Sequence, residues 1–122
     1  KELARVLTLN VSAQAAMIAA FDSLLRRSDN ARLIGLTSSV GRNPRAYWGA
    51  YGASKAAFEG LLLAYAEENR STNRLKIAVV DPGATRTAMR AKAYPGEDPA
   101  SLQPPEEVAS RIGSAASVLP AD

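Results

Sequence analysis

Apolar residues recur at three- and four-residue steps over the first 27 positions: Leu3, Val6, Leu7, Met17, Phe21, Leu24 and Leu25. That period predicts one amphipathic helix across residues 1–27 with this stripe buried. Asn10 falls on the same stripe, between Leu7 and Met17. An amide on a buried face needs hydrogen-bond partners. Ser28, Asp29 and Asn30 break the pattern. Residues 32–37 (RLIGLT) then form a short apolar run that suits a buried strand.

The stretch 38–47 reads as loop, with Gly41, Asn43 and Pro44. A second helical pattern runs over residues 50–70, with Tyr51, Lys55, Phe58, Leu62 and Tyr65 on one face. Residues 75–80 (LKIAVV) predict a second buried strand, stopped by Asp81, Pro82 and Gly83. Residues 85–92 suit a short helix. Residues 93–105 hold four prolines and read as an irregular loop. Pro105 followed by Glu106 and Glu107 makes a good first helical turn, with the acids near the positive end of the helix dipole. The final helix is expected to bury Val108, Ile112, Ala115 and Leu119.

The predicted order is helix–strand–helix–strand–helix. Two apolar strands joined by a helix make a parallel βαβ unit, whose crossover is right-handed as a rule. The fold class is therefore α/β. Two strands are few for an independent sheet. Lys1 opens directly into a helical pattern, and the last five residues, 118–122, read like a helix exit. The expectation is a processed chain or a piece of a longer one.

Composition narrows the chemistry. The 122 residues are 47% hydrophobic and 22% charged, and include neither cysteine nor histidine. Disulfides, thiol nucleophiles and Ser–His–Asp catalysis are excluded on that ground, and no metal site is expected. Proton chemistry falls to Asp, Glu, Lys, Tyr or water. Net charge is +3, but the arginines are scattered and lack interleaved aromatics, so nucleic acid is not an expected partner. There is no unbroken 18-residue apolar run and no signal-peptide pattern, so no membrane is expected and the cytoplasm is the expected compartment.

In open α/β sheets, ligands bind beyond the carboxyl ends of the strands. Ser38 follows the first strand there, and Pro82-Gly83 follows the second. Tyr51 and Lys55 stand one helical turn apart on the connecting helix, so their side chains are neighbours. A lysine cation beside a phenol lowers the phenol pKa. With no histidine present, this pair is the best candidate general acid/base. YxxxK alone also suits a plain solvated helix face.

The company of that pair is more specific. The segments LNVSA (9–13), TSSVG (37–41), YGASKAAFEG (51–60) and DPGATRTAM (81–89) occur in one order. Together they resemble the short-chain dehydrogenase/reductase family, over nearly the whole chain. The stretch PGATRTAMRAKAYPGEDP is similar to a bacterial oxidoreductase branch of it.

The resemblance implies a role for each residue. Tyr51 would exchange a proton with the substrate oxygen, and Lys55 would lower the Tyr51 pKa and hydrogen-bond the nicotinamide ribose. Ser38 would hold the substrate oxygen, with Ser39 ranked second. Asn10 would hold a water linking Lys55 to solvent. Pro82, Gly83, Ala84 and Thr85 would pass the nicotinamide, with Thr87 binding its carboxamide or the phosphates. Tyr47, Trp48, Met89 and Tyr94 are weaker candidates for lining a substrate pocket.

The implied cofactor is NAD or NADP, and the implied substrate is a small carbonyl or alcohol. Helices 1–27 and 50–70 would build a homodimer or homotetramer. Neither GxxxGxG nor Asn-Ala-Gly occurs in the chain. The resemblance thus implies a partial Rossmann-like doubly wound sheet, lacking the nucleotide-binding half and the last strand. All 122 residues would be the catalytic, C-terminal part of one dehydrogenase domain, inactive by itself. The alternative is a non-catalytic oligomerisation or scaffold module derived from the same fold.

Overall fold

A computed structural model describes residues 1–117 of the chain. The described residues divide into two compact units, with the boundary between Asp81 and Pro82.

The first unit opens with α1 (Glu2–Leu7), a π-helical turn (Thr8–Ser12) and α2 (Ala13–Arg27), which succeed one another without a break. In the π turn the Ala13 N–H donates to the Thr8 carbonyl, five residues back instead of four. The predicted helix over 1–27 is present, but its register on the core differs from the expected stripe. Leu3, Met17, Phe21 and Leu24 lie half or more exposed. Val6 and Leu7 are half-buried and Leu25 packs inward as expected, joined by Ile18, against Ala31, Tyr65 and Leu75. The extra residue in the π turn rotates α2 relative to a straight 3.6-residue period, so a stripe counted from Val6 and Leu7 has drifted off the buried face at Met17, Phe21 and Leu24.

The α1–α2 stretch bears on the expectation about membranes. Over Glu2–Arg27 an 18-residue window reaches a mean hydropathy of 1.3, enough by length and composition to cross a bilayer. Alanines raise that average between the scattered polar residues. The stretch nevertheless sends polar groups to the next helix: Asn10 bonds Ser54, and Asp22 accepts from the Tyr65 hydroxyl at 2.6 Å.

Strands β1 (Ala31–Leu36) and β2 (Leu75–Val80) pair in parallel, from Ala31 opposite Leu75 to Leu36 opposite Val80. Between them runs α3 (Gly49–Glu68), whose inner face buries Phe58, Leu62 and Tyr65 as predicted. Thr37 extends the ladder by one bond, its N–H donating to the Val80 carbonyl at 2.9 Å. A 3-10 turn, Ser39–Gly41, comes next; Ser38 caps it by accepting from the Val40 N–H.

The second unit, Pro82 onward, holds α4 (Ala88–Ala93), a 3-10 turn (Pro99–Ser101) and α5 (Pro105–Ser117). The short helix starts three residues later than the sequence pattern suggested, because Thr87 acts as its cap. Thr85 forms an isolated parallel bridge with Gln103, and the Arg86 N–H donates to the Gln103 carbonyl at 2.9 Å. Arg90 clasps Glu97 with both nitrogens, at 2.8 and 2.9 Å, and lies 3.9 Å over the Tyr94 ring. On α5, Val108 is buried and Ile112 half-buried, whereas Ala115 is exposed. Leu119 lies outside the described residues.

Candidate active site

In the first unit the ends of the strands and the start of α3 bring Ser38, Tyr51 and Lys55 together. Ser38 leaves β1 in extended conformation (φ −146°, ψ 147°). Its hydroxyl hydrogen-bonds the Tyr51 side chain, thirteen residues further on. Close approach of α3 to the Ser39–Gly41 turn makes this possible. A Cβ at Gly52 would stand 2.9 Å from the Val40 carbonyl oxygen, so the residue after Tyr51 has to be glycine for the turn to sit this near.

Lys55 is half-buried and donates to the Leu36 carbonyl, the last of β1, at 3.1 Å. Its ammonium stands 5.7 Å from the centre of the Tyr51 ring and 5.9 Å from that of Phe58. Burial pulls the Lys55 pKa down from its ordinary value. The Tyr51 phenol is pushed up by burial, with Asp81 adding to the rise and the Ser38 hydrogen bond opposing it. With the ammonium held on a backbone carbonyl, desolvation of the phenol outweighs the other influences.

Asn10 sits at the centre of the π turn and is half-buried. Its Nδ2 donates to the Ser54 hydroxyl at 3.0 Å, and that hydroxyl donates to the Tyr51 carbonyl at 2.7 Å. Ser54 is fully buried. The sequence reading missed it, although Ser54 stands inside YGASK, between the two residues singled out. Its spacing from Tyr51, a hydroxyl three residues on, was the available signal for a backbone bond. The link joins Asn10 to the backbone of the turn that bears Tyr51.

A cleft of about 210 Å³ opens beside Ser38 and Ser39, lined also by Thr37, Arg42, Glu59 and Asp81. Glu59 is buried and was not among the residues expected at the site. Of the pocket candidates in this unit, Trp48 meets the Tyr51 ring edge to face, with centroids 5.7 Å apart. Tyr47 is fully exposed, with a left-handed backbone (φ 68°).

The remaining candidates belong to the second unit. Gly83 adopts φ 74°, a conformation suited to glycine, and the Thr85 hydroxyl donates to its carbonyl at 3.3 Å. Pro82 is half-buried and Ala84 exposed. Thr87 accepts from the Arg90 N–H at 3.1 Å, so its hydroxyl caps α4. Met89 is 62% exposed, and Tyr94 lies under Arg90. Among the described residues, no group of three or more Asp or Glu side chains is placed to hold a metal ion.

Residues 1–98 match the family model for short chain dehydrogenase. The chain is 46% identical over 103 residues to the uncharacterized oxidoreductase YciK of Escherichia coli K12, covering 84% of this chain and 40% of that protein. It is similar to a solved short chain dehydrogenase of Salmonella enterica serovar Typhi (42% identity, TM-score 0.79, 83% of this chain and 41% of that one). A Shigella flexneri 2a relative of the same description, solved in complex with NADP, shows 46% identity and a TM-score of 0.77, over 81% of this chain and 41% of its own. The chain thus spans about two fifths of the length of the relatives it matches. A family match over residues 1–98, with YxxxK and the serine set at the strand ends, places the chain in the short chain dehydrogenase family.

Proposed function

We propose that the protein carrying this chain is an NAD(P)-dependent oxidoreductase that interconverts a carbonyl compound and an alcohol, with Tyr51 as general acid/base. The observation that carries the reading is the approach of the Ser38 hydroxyl to the Tyr51 phenol at the carboxyl end of β1, with the Lys55 ammonium 5.7 Å from the Tyr51 ring one turn further along α3. It places a proton donor and a second hydroxyl side by side, as a carbonyl oxygen requires. The Tyr51 phenol, its pKa pushed up by burial, is the group that donates the proton to the carbonyl oxygen. Ser38 orients the substrate oxygen by a hydrogen bond. In the oxidative direction Tyr51 takes the alcohol proton back, which its raised pKa makes harder and alkaline conditions easier.

The residues present fit the nicotinamide end of a dinucleotide. Lys55 uses one N–H on Leu36 and has three to give, so it is suited to hold a ribose hydroxyl as well. Relatives solved with NADP and with NADPH support the same cofactor class here. When bound, the reduced nicotinamide supplies the hydride that the carbonyl carbon accepts. Pro82 to Thr85 and Thr87 are proposed to pass alongside it. The substrate is a small carbonyl or alcohol molecule, with Ser39, Trp48, Tyr47, Met89 and Tyr94 as pocket candidates. Activity is assigned to the complete protein, with a cytoplasmic location, and the 122-residue chain by itself is expected not to turn over.

Self-association is part of the reading. Leu9, Met17, Phe21 and Leu24 of the first helical stretch and Leu63 of α3 are 51–64% exposed, a large apolar surface for one small unit. A homodimer or homotetramer through these helices would cover it. The scaffold alternative shares this surface but needs no Ser38–Tyr51 pair.

The test is oxidation of NADPH and NADH by the purified complete protein with a panel of aliphatic and aromatic aldehydes and ketones. Turnover with at least one carbonyl, lost by a factor of about a thousand or more in Tyr51→Phe, supports the mechanism. Undiminished turnover in Tyr51→Phe refutes it. Absence of turnover across the panel, with self-association retained, favours the scaffold.

A further inference from the structure

Eight residues beyond Tyr51, the Glu59 carboxylate lies on the inner face of α3 and is only 7% exposed. Burying that charge is costly unless donors meet it. Two donors do. Thr37 Oγ1 donates to Oε1 at 2.5 Å, and Arg42 Nε donates to Oε2 at 2.9 Å. Together they hold the Glu59 carboxyl below its ordinary range against the opposing effect of burial, Thr37 having the larger share.

The positions of the two donors give this network its meaning. Thr37 directly precedes Ser38, and Arg42 directly follows the Ser39–Gly41 turn. One carboxylate therefore grips both ends of the short segment that carries Ser38. That carboxylate stands on the same rigid helix as Tyr51 and Lys55. The segment's middle is seated on α3 as well, since Val40 is buried against Gly52.

We propose that Glu59 is a positioning residue for the reaction: its two oxygens clamp both ends of the Ser38 segment onto the helix that bears Tyr51, which sets the separation of the two hydroxyls. The inference rests on the catalytic reading of Ser38 and Tyr51 given above. Glu59 touches neither of them, and acts through Thr37 and Arg42. Misplacement of a catalytic group by about 1 Å can cost about a hundredfold in rate, so a clamp of this kind acts on turnover more than on cofactor binding.

Glu59→Gln keeps the side-chain shape and can still bond Thr37, whose hydroxyl accepts as well as donates, but it removes the charge that pairs with Arg42, so the tie to Arg42 is weakened. Arg42→Ala removes the same tie from its other end, at a side chain that is 67% exposed, and so serves if Glu59→Gln does not fold. Both variants are compared with wild type in the complete protein, with NADPH and the fastest carbonyl of the panel. Hydrogen exchange of the backbone over residues 37–42 is followed alongside. The expected result is a kcat loss of about tenfold to a hundredfold with the NADPH KM unchanged, and faster exchange over 37–42. Ser38→Ala combined with Glu59→Gln should be no slower than Ser38→Ala alone. An unchanged kcat, losses that multiply in the double variant, or unchanged exchange over 37–42 would each overturn the proposal. If Ser38→Ala is as fast as wild type, the proposal falls with its premise. Faster exchange over 37–42 in Glu59→Gln would then show that the premise failed and the clamp did not.

Discussion

The Asn10 amide donates to the Ser54 hydroxyl at 3.0 Å, joining two positions forty-four residues apart. The bond links the π turn of the first helical stretch to the opening turns of α3. Ser54 passes the link on to the Tyr51 carbonyl, so the backbone beneath the proposed acid/base is tied to a second helix. A short buried chain of this kind contributes to stability and to the placement of Tyr51 together.

Ser54→Ala should therefore destabilise the fold by about 1–3 kcal/mol, the usual consequence of leaving a partly buried donor without its acceptor. Urea unfolding of the wild type and the variant would measure it. Asn10→Ala in the Ser54→Ala background should add less than it does alone, because the two residues share one bond. Full additivity would mean that the bond is not formed in solution.

Tyr65 should ionise well above the ordinary range of a tyrosine. Burial pushes its phenol up to about 12, aided by the hydrogen bond it donates to Asp22 and by that residue's negative charge. The folded pKa lies above the unfolded value of about 10, so the stabilisation is complete below pH 10 and is lost as pH rises toward 12. Ultraviolet titration of the phenolate band should show a late step that Tyr65→Phe removes. The Tyr51 step should also lie above its ordinary value.

Charge placed on the exposed apolar face should break self-association while leaving the fold intact. Phe21 and Leu24 are 51% and 56% exposed, so Phe21→Glu with Leu24→Glu alters little inside the unit. Sedimentation of the complete protein should shift from an oligomer to a monomer, with an unchanged circular dichroism spectrum. An unchanged sedimentation coefficient would remove these helices from the proposed interface.

Much of this was legible from local pattern. Residues 75–80 form the second strand as expected, and the first strand lies one residue earlier than its apolar run suggested. Phe58, Leu62 and Tyr65 were readable as the inner face of α3, because a regular helix turns a 3.6-residue period into a single stripe. The first helix followed its predicted stripe only in part: its π turn adds a residue to the period, and beyond it Met17, Phe21 and Leu24 end outside. Tyr51, Lys55 and Ser38 were named from spacing and company, and the structure sets Ser38 against Tyr51.

Period, propensity and composition suffice for the two strands, the α/β order and the residue types able to move a proton without histidine. The partners of the polar groups come from packing instead: Asn10 with Ser54, Lys55 with the Leu36 carbonyl, and Glu59 with Thr37 and Arg42. The reason is physical. A buried donor or charge is satisfied by whatever the fold brings within about 3 Å, and that neighbour is set by contacts across the chain and not by distance along it.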